Sequence, residues 1–310
     1  MESQFLYSGD EKRNHCHGAN ILQSQSGDLF ACWYSYPDQE HVDGHIMLSK
    51  KASDSQEWAK AKSVFPDYNS SLGNPVLFED TKGTLVLIFV ILKGYWDTGS
   101  IYISQSTDAG LSWSTPAPAG TPEGILPRHQ PVSINNQFLA PFYHESEKTS
   151  SLWESSAPYT HWNHHSALPG QEMIQPGLLV DDEQRLFAFF RPTGDILKIH
   201  LNQSADFGKT WAKPEPTSLV TALSGYSAFL HQGHIYVIFN HTKEHKRTPL
   251  SLSRSSNQGQ SWSVPWNIDD SDLELSYPSF ISGTDGHIHG LYTYNRRMIK
   301  YVKLSEKDFT

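Results

Sequence analysis

Arg191 ends the run Phe189-Phe190-Arg191, and Arg247 stands just ahead of Thr248-Pro249-Leu250. An arginine anchored by apolar neighbours at a strand end presents a fixed fork of N–H donors. Two such forks side by side suit a carboxylate read in bidentate fashion. Tyr277, His17, Asp38 and Glu40 are the candidate proton carriers. A tyrosine beside arginines has a stabilised phenolate and can act as nucleophile or acid, and a histidine suits a base near neutral pH. The bland alternative pairs each arginine with a structural acid such as Asp195 or Glu244, and makes His17 one solvated or structural histidine among sixteen. Asn74, Arg128, Gln175, Tyr226, Asn240, His241, Tyr294 and Arg296 are expected to bind substrate around this set. The clusters His15-Cys16-His17 and His161-Trp-Asn-His164-His165 have no matching carboxylate or second half at regular spacing, so no metal is expected, nor any other cofactor. No nucleotide-binding loop or serine elbow occurs.

Residues from 17 to 297 can meet in one place only if the chain returns there repeatedly, and a repeat is visible. Trp58, Trp113, Trp162, Trp211 and Trp262 recur at intervals of 55, 49, 49 and 51 residues. Three close one phrase: Ser106-Thr-Asp108-Ala-Gly110-Leu-Ser-Trp113, Ser204-Ala-Asp206-Phe-Gly208-Lys-Thr-Trp211 and Ser255-Ser-Asn257-Gln-Gly259-Gln-Ser-Trp262. The Asp or Asn can bond nearby backbone N–H groups, the Gly can take positive φ, and the Trp can pack the turn onto its sheet. Two further copies are eroded, around Asp54–Trp58 and Ser155–Trp162.

Each unit of about fifty residues reads as four strands. A short first strand is entered by His17, Asn74, Gln130, Gln175, Tyr226 or Tyr277. A richly apolar second strand follows: Leu29–Trp33, Leu85–Ile91, Phe138–Tyr143, Leu186–Phe190, Ile235–Phe239 and Ile288–Tyr292. An alternating third strand comes next: His45–Leu48, Ile101–Ser104, Ser151–Glu154, Ile196–His200, Leu250–Ser253 and Ile299–Val302. The turn phrase and a weakly patterned fourth strand complete the unit. Six such units make an all-β, six-bladed β-propeller over residues 1–310 as a single domain, with a β-solenoid or stacked sandwiches as the competing arrangement. The sixth unit ends near Lys303 without a fourth strand, so the segment around Gln4–Tyr7 is expected to supply it. Antiparallel order then puts first-strand entries and second-to-third loops on one face and the Trp turns on the other. The candidate residues converge on the first of these faces, and the turns are scaffold. His17 and Tyr277, on blades that adjoin across the closure, are expected to face each other over the tunnel mouth as a base and an acid.

The net charge of −9 argues against nucleic acid and anionic membrane as partners. No apolar run approaches the ~18 residues of a spanning helix. The N-terminus MESQFLYSGDEKRNHC has no apolar signal core, which reads as cytoplasmic, or as secreted or periplasmic if a signal was removed. Cys16 and Cys32 permit at most one disulfide.

The three Asp-box turns, Asn74-Pro-Val-Leu-Phe78, Gln175-Pro, Phe239-Asn240-His241-Thr with Arg247-Thr-Pro-Leu250, and Tyr277-Pro with Tyr292-Thr-Tyr294 resemble the sialidase (neuraminidase) superfamily, in its BNR-repeat-like branch, nearly end to end. That resemblance implies a sugar carboxylate held by three arginines, a tyrosine nucleophile primed by a glutamate, and an aspartate acid. Arg191 and Arg247 match the second and third arginines, Tyr277 the nucleophile, and Asp38 the acid, with Glu40 as substitute. His17 stands where the first arginine should open an Arg-Ile-Pro phrase, and Gln175 where the glutamate should be. The implied activity is glycoside hydrolysis at a carboxylated sugar of sialic acid or uronate type. Two readings compete with it: a lyase acting on a uronate by β-elimination, with His17 removing the proton and Tyr277 protonating the leaving oxygen, and a non-catalytic carbohydrate-binding propeller. The partner in all three is an acidic oligosaccharide or glycan.

Overall fold

A computed structural model describes residues 1–309. It contains six antiparallel sheets arranged as a β-propeller, and its helical content is two single turns of 3₁₀ type, Trp96–Thr98 and Glu306–Asp308. Blade 1 runs from its inner strand His15–Gln23 through Leu29–Tyr36 and His45–Lys51 to a short outer strand, Lys62–Ser63. Blades 2, 4 and 5 repeat this order from the inner strands Ser71–Glu79, Met173–Val180 and Ser227–His231. In blade 3 the inner strand is broken into Ile125–Pro127 and Val132–Ile134, both paired with Gln137–His144. The inner strands neighbour one another round the ring, and that of blade 6, Leu275–Ser282, returns against that of blade 1.

The second strands read as unbroken apolar runs because both of their faces are covered by neighbouring blades. In Leu85–Leu92, the side chains of Leu85, Leu87 and Phe89 face blade 1, and those of Val86, Ile88 and Val90 face blade 3. In blade 4, Phe187 and Phe189 face blade 5, and Leu186, Ala188 and Phe190 face blade 3. A strand's period of two splits one apolar segment between two interfaces. The result is six clusters of buried side chains, one between each pair of adjacent blades.

The tryptophans follow the same logic. Each of the five joins the cluster shared with the preceding blade, as Trp113 does with Phe30 and Cys32 of blade 1. Blade 6 has no such tryptophan, and Phe309 packs in the corresponding interface, 6.0 Å from Tyr236 and 5.9 Å from Trp266 between ring centroids. In the Asp108 turn, Ser106 Oγ donates to the carboxylate (2.7 Å) and accepts from Gly110 N (2.8 Å), and the carboxylate takes Ser112 N (2.9 Å). Asp206 and Asn257 repeat the pattern, with Ala109, Phe207 and Gln258 and the glycine after each at positive φ.

Ring closure is by the N-terminal strand. Glu2–Tyr7 pairs antiparallel with Met298–Leu304, from Glu2 opposite Lys303 to Tyr7 opposite Ile299, and makes the outer strand of blade 6. Other boundaries moved by a few residues. The third strand of blade 4 begins at Lys198 rather than Ile196, and the inner strand of blade 5 at Ser227, leaving Tyr226 just ahead of it. Cys16 and Cys32 are both buried and free.

Candidate active site

Four inner strands carry the same irregularity at the site end. Their pairing skips two residues at Gly18-Ala19, Asn74-Pro75, Gln175-Pro176 and Tyr277-Pro278. The first residue of each pair is left-handed, with φ of 64°, 44°, 53° and 50°. A bulge re-aims the side chain that it carries, and the proline after it has no N–H to offer the ladder. For Asn, Gln and Tyr the left-handed backbone is strained, and such strain persists only where the surroundings hold it. Three polar side chains are thereby turned toward one cleft. Gly18 avoids the strain in blade 1, and there a Cβ would lie 2.6 Å from Cε1 of Tyr34.

The cleft has a volume of about 370 Å³. Arg191 Nη1 donates to the Tyr277 oxygen (3.1 Å) and to Gln175 Oε1 (3.2 Å), while its Nη2 holds the Leu223 carbonyl (2.9 Å). Because a guanidinium only donates, the Gln175 atom facing it must be the amide oxygen, which turns the Gln175 NH₂ toward Tyr277 at 3.3 Å. The phenol oxygen of Tyr277 therefore receives two N–H donors. Arg247 pairs with Glu274 (3.0 Å), and Arg296 Nε bonds both oxygens of the same carboxylate (3.1 and 3.0 Å). Arg296 also pairs through Nη1 with Glu40. His17 shares a hydrogen bond with Thr293 Oγ1 (3.1 Å), and its Nε2 is 3.9 Å from Glu40.

The electrostatics follow from this packing. Burial acts to raise the pKa of Tyr277, but Arg191, Arg247 and the Gln175 bond outweigh it, so the phenol titrates below the usual tyrosine range. Burial pushes Tyr34 and Tyr143 up, Glu40 and Glu145 respectively add to that, and both stay protonated phenols. Burial, followed by Arg296, Arg247, Arg128 and Arg191, holds His17 far below the usual imidazole range, so it is neutral. Glu274 is held down against its burial by Ser276, Arg247 and Arg296.

Of the residues singled out in the sequence, Tyr277, His17, Glu40, Arg191, Arg247, Gln175, Asn74 and Arg296 line the cleft together. Asp38 is exposed and lies outside it. Arg128 is buried behind Tyr277 and bonds backbone carbonyls. Tyr226 is buried, and its hydroxyl supports the Gln175 carbonyl (3.1 Å). Asn240 is fully buried and clamps the carbonyls of Pro249 and Leu275 (3.1 and 2.9 Å). His241 is exposed beside the Val220 carbonyl, and Tyr294 packs edge-on to Phe5 on the outer side. The rings of His17 and Tyr277 do not oppose each other across the mouth. Their centroids are 4.3 Å apart, so they form one wall and leave no room for a sugar between them. Arg247 pairs with Glu274 rather than Glu244, which pairs with Lys246.

Other lining residues carried no clear sequence signal. Tyr34 and Tyr143 sit near second-strand ends inside apolar runs, Thr193 lies just past such an end, and Trp96 comes from the 3₁₀ turn. Glu274, two residues before Ser276-Tyr277-Pro278, could have been found as the nearest acid to a bulge expected to face arginines. Among the described residues no group of three or more His, Cys, Asp or Glu side chains is placed to hold a metal ion. No helix among them is long and apolar enough to cross a membrane.

The model of the BNR repeat-like domain matches residues 27–289. The chain belongs to the BNR repeat-like domain family. Its fold is that of sialidase-like BNR propellers. A Hadza microbial sialidase superposes with a TM-score of 0.85 at 15% identity, covering 99% of this chain and 69% of that one. The leech intramolecular trans-sialidase complexed with 2,7-anhydro-Neu5Ac gives 0.83 at 14%, covering 100% and 71%. The intramolecular trans-sialidase of Ruminococcus gnavus, in complex with oseltamivir carboxylate, gives 0.83 at 14%, covering 99% and 98%. None of the curated proteins matches the chain. Identities this low establish a shared BNR propeller, and the site chemistry has to be argued from its own residues.

Proposed function

We propose that this cleft binds a glycan through a carboxylated sugar and hydrolyses its glycosidic bond, with Tyr277 as the nucleophile. The observation that carries this reading is the convergence of Arg191 and Gln175 on the Tyr277 oxygen, which favours the phenolate. The fold shared with proteins described as sialidases supports it. So do three arginines at one cleft, because Arg296 from blade 6 brings a third cation where His17 replaces one in blade 1. Gln175 cannot take the phenol's proton as a glutamate would, but it donates to the oxygen once that proton has left. A tyrosine that rests as the phenolate has no proton to give a leaving oxygen, which disfavours the β-elimination scheme in which Tyr277 is the acid.

Of the two candidate acids, Glu40 is the one in the cleft. In the proposed sequence the substrate carboxylate takes over Arg296, and the freed Glu40 carboxylate takes up a proton from solvent. The Tyr277 oxygen then bonds to the anomeric carbon as the glycosidic C–O bond breaks, and the leaving oxygen takes a proton from Glu40. Water next attacks the anomeric carbon, gives its proton back to Glu40 and releases Tyr277.

Incubation with a panel of sialosides and uronate oligosaccharides, following reducing ends and the absorbance of unsaturated uronate, tests the reading. Reducing ends should appear without that absorbance. Arg191→Ala should weaken binding by about 1.5–3 kcal/mol, the range for a hydrogen bond to a charged group. A rise in unsaturated uronate would select elimination, and binding without turnover across the panel would leave a lectin.

A further inference from the structure

Arg128 lies in the break of the blade 3 inner strand and is only 3% exposed. Its Nη1 donates to the Ala19 carbonyl (3.1 Å), its Nη2 to the Pro278 carbonyl (3.2 Å), and its Nε has no partner. Among the described residues no carboxylate forms an ion pair with it. A buried charge without a counter-charge is strongly disfavoured, so a neighbouring group must supply one. The guanidinium carbon is 5.0 Å from the centroid of the Tyr277 ring. Its other titratable neighbours are Tyr34, Tyr143, Tyr226, Cys32, His17 and His129. Burial pushes the three tyrosines and Cys32 up and the two histidines down, so none of them carries a negative charge.

We propose that Arg128 is a positioning residue that holds Tyr277 as a phenolate, by tying the Gly18-Ala19 and Tyr277-Pro278 bulges together across the tunnel and by placing a cation beneath the ring. Tyr277 is in turn the counter-charge that makes the buried guanidinium tolerable. On the cleft side Tyr277 also meets Arg191 and Arg247, which favour the phenolate, Glu40, which opposes it, and neutral His17, Tyr34 and Tyr143. Arg128 is buried and does not line the cleft, so it is not placed to touch a substrate there. The proposal deepens the reading of Tyr277 as the reacting group, but it concerns the free protein and needs no substrate.

The test is an ultraviolet titration of phenolate absorbance, taken as the difference between each protein and its Tyr277→Phe derivative. The Tyr277 midpoint should rise by roughly 1–3 pH units in Arg128→Gln, the usual effect of losing an opposite charge at this range, and stay near the parent's in Arg128→Lys. An unchanged midpoint in folded Arg128→Gln overturns the proposal, because a purely structural role would lower the melting temperature without moving the titration. A second reading needs no change at Arg128. Tyr277→Phe removes the counter-charge, so it should melt below the parent protein, and a melting temperature equal to or above the parent's overturns the proposal as well. Because neither measurement involves turnover, both stand whether or not a glycan is hydrolysed.

Discussion

Gly18 occupies the blade 1 counterpart of Asn74, Gln175 and Tyr277, and it brings no side chain to the cleft. The space that a side chain would take is filled by Tyr34, whose ring lies 6.0 Å from His17 and 5.6 Å from Trp96. Gly18→Ala would place a Cβ against Tyr34 at a backbone angle that alanine resists. We expect a loss of about 1–3 kcal/mol, read as a lower midpoint in urea, together with weaker glycan binding as Tyr34 is displaced. A midpoint unchanged from the parent would mean that the bulge relaxes without cost. At this scale the sequence named eight residues that gather, together with Asp38, Arg128, Tyr226, Asn240, His241 and Tyr294, which do not, and it did not show how any of them face. Arg191, Arg247 and Tyr277 stood out because each ends or enters a strand. The wall made by His17 and Tyr277, the lock of Glu274 on two arginines, and the withdrawal of Arg128 behind the site depend on bulge geometry, which residue order does not reveal.

The blades were legible as elements because a turn phrase is local chemistry. Ser106, Asp108, Gly110 and Ser112 satisfy one another within seven residues, so the pattern survives in the sequence as a fixed string. The bulges were less legible, since Asn74-Pro, Gln175-Pro and Tyr277-Pro share only the proline and blade 1 lacks even that. The break in the inner strand of blade 3 had no sequence signal at all. Blade 6 depends on an element from the other end of the chain. Removing residues 1–8 would strip the partner from Met298–Leu304 and leave an unpaired edge. The truncated protein should melt at a lower temperature and aggregate more readily in light scattering, whereas an unchanged melting curve would show that this strand contributes little.

The molecule as a whole is acidic, at −9, yet gathers Arg191, Arg247 and Arg296 at one cleft. Glu274 and Glu40 already pair with Arg247 and Arg296, so a substrate anion must take the place of a carboxylate to use them. The molecule's pH response should be set by buried histidines. His17, His200, His231 and His289 are each at most 3% exposed, and burial is the leading cause holding all four below the usual imidazole range. Each resists protonation in the fold, whereas the unfolded chain takes up protons below about pH 6.5. Stability is therefore full above that pH and falls as pH drops through it, by about 1.4 kcal/mol per pH unit for each histidine still neutral. Urea midpoints compared at about pH 8 and about pH 5 check this, and equal midpoints would sink it.

The pairing of Glu2–Tyr7 with Met298–Leu304 has a consequence for biosynthesis. Within the propeller, the strand made first belongs to the blade completed last. At ~5–20 residues per second it waits on the order of 15–60 s for its partner. Blades 2 to 5 can each settle against a finished predecessor during that time, but blade 1 cannot cover its other flank. Cys16, Ala19, Ile21 and Trp33 face Leu291, Ile299 and Tyr301, which emerge almost three hundred residues later. Until then a nascent apolar wall and an unpaired strand stay open at the same end of the chain, and this is where a holdase or a stray neighbouring strand would engage first.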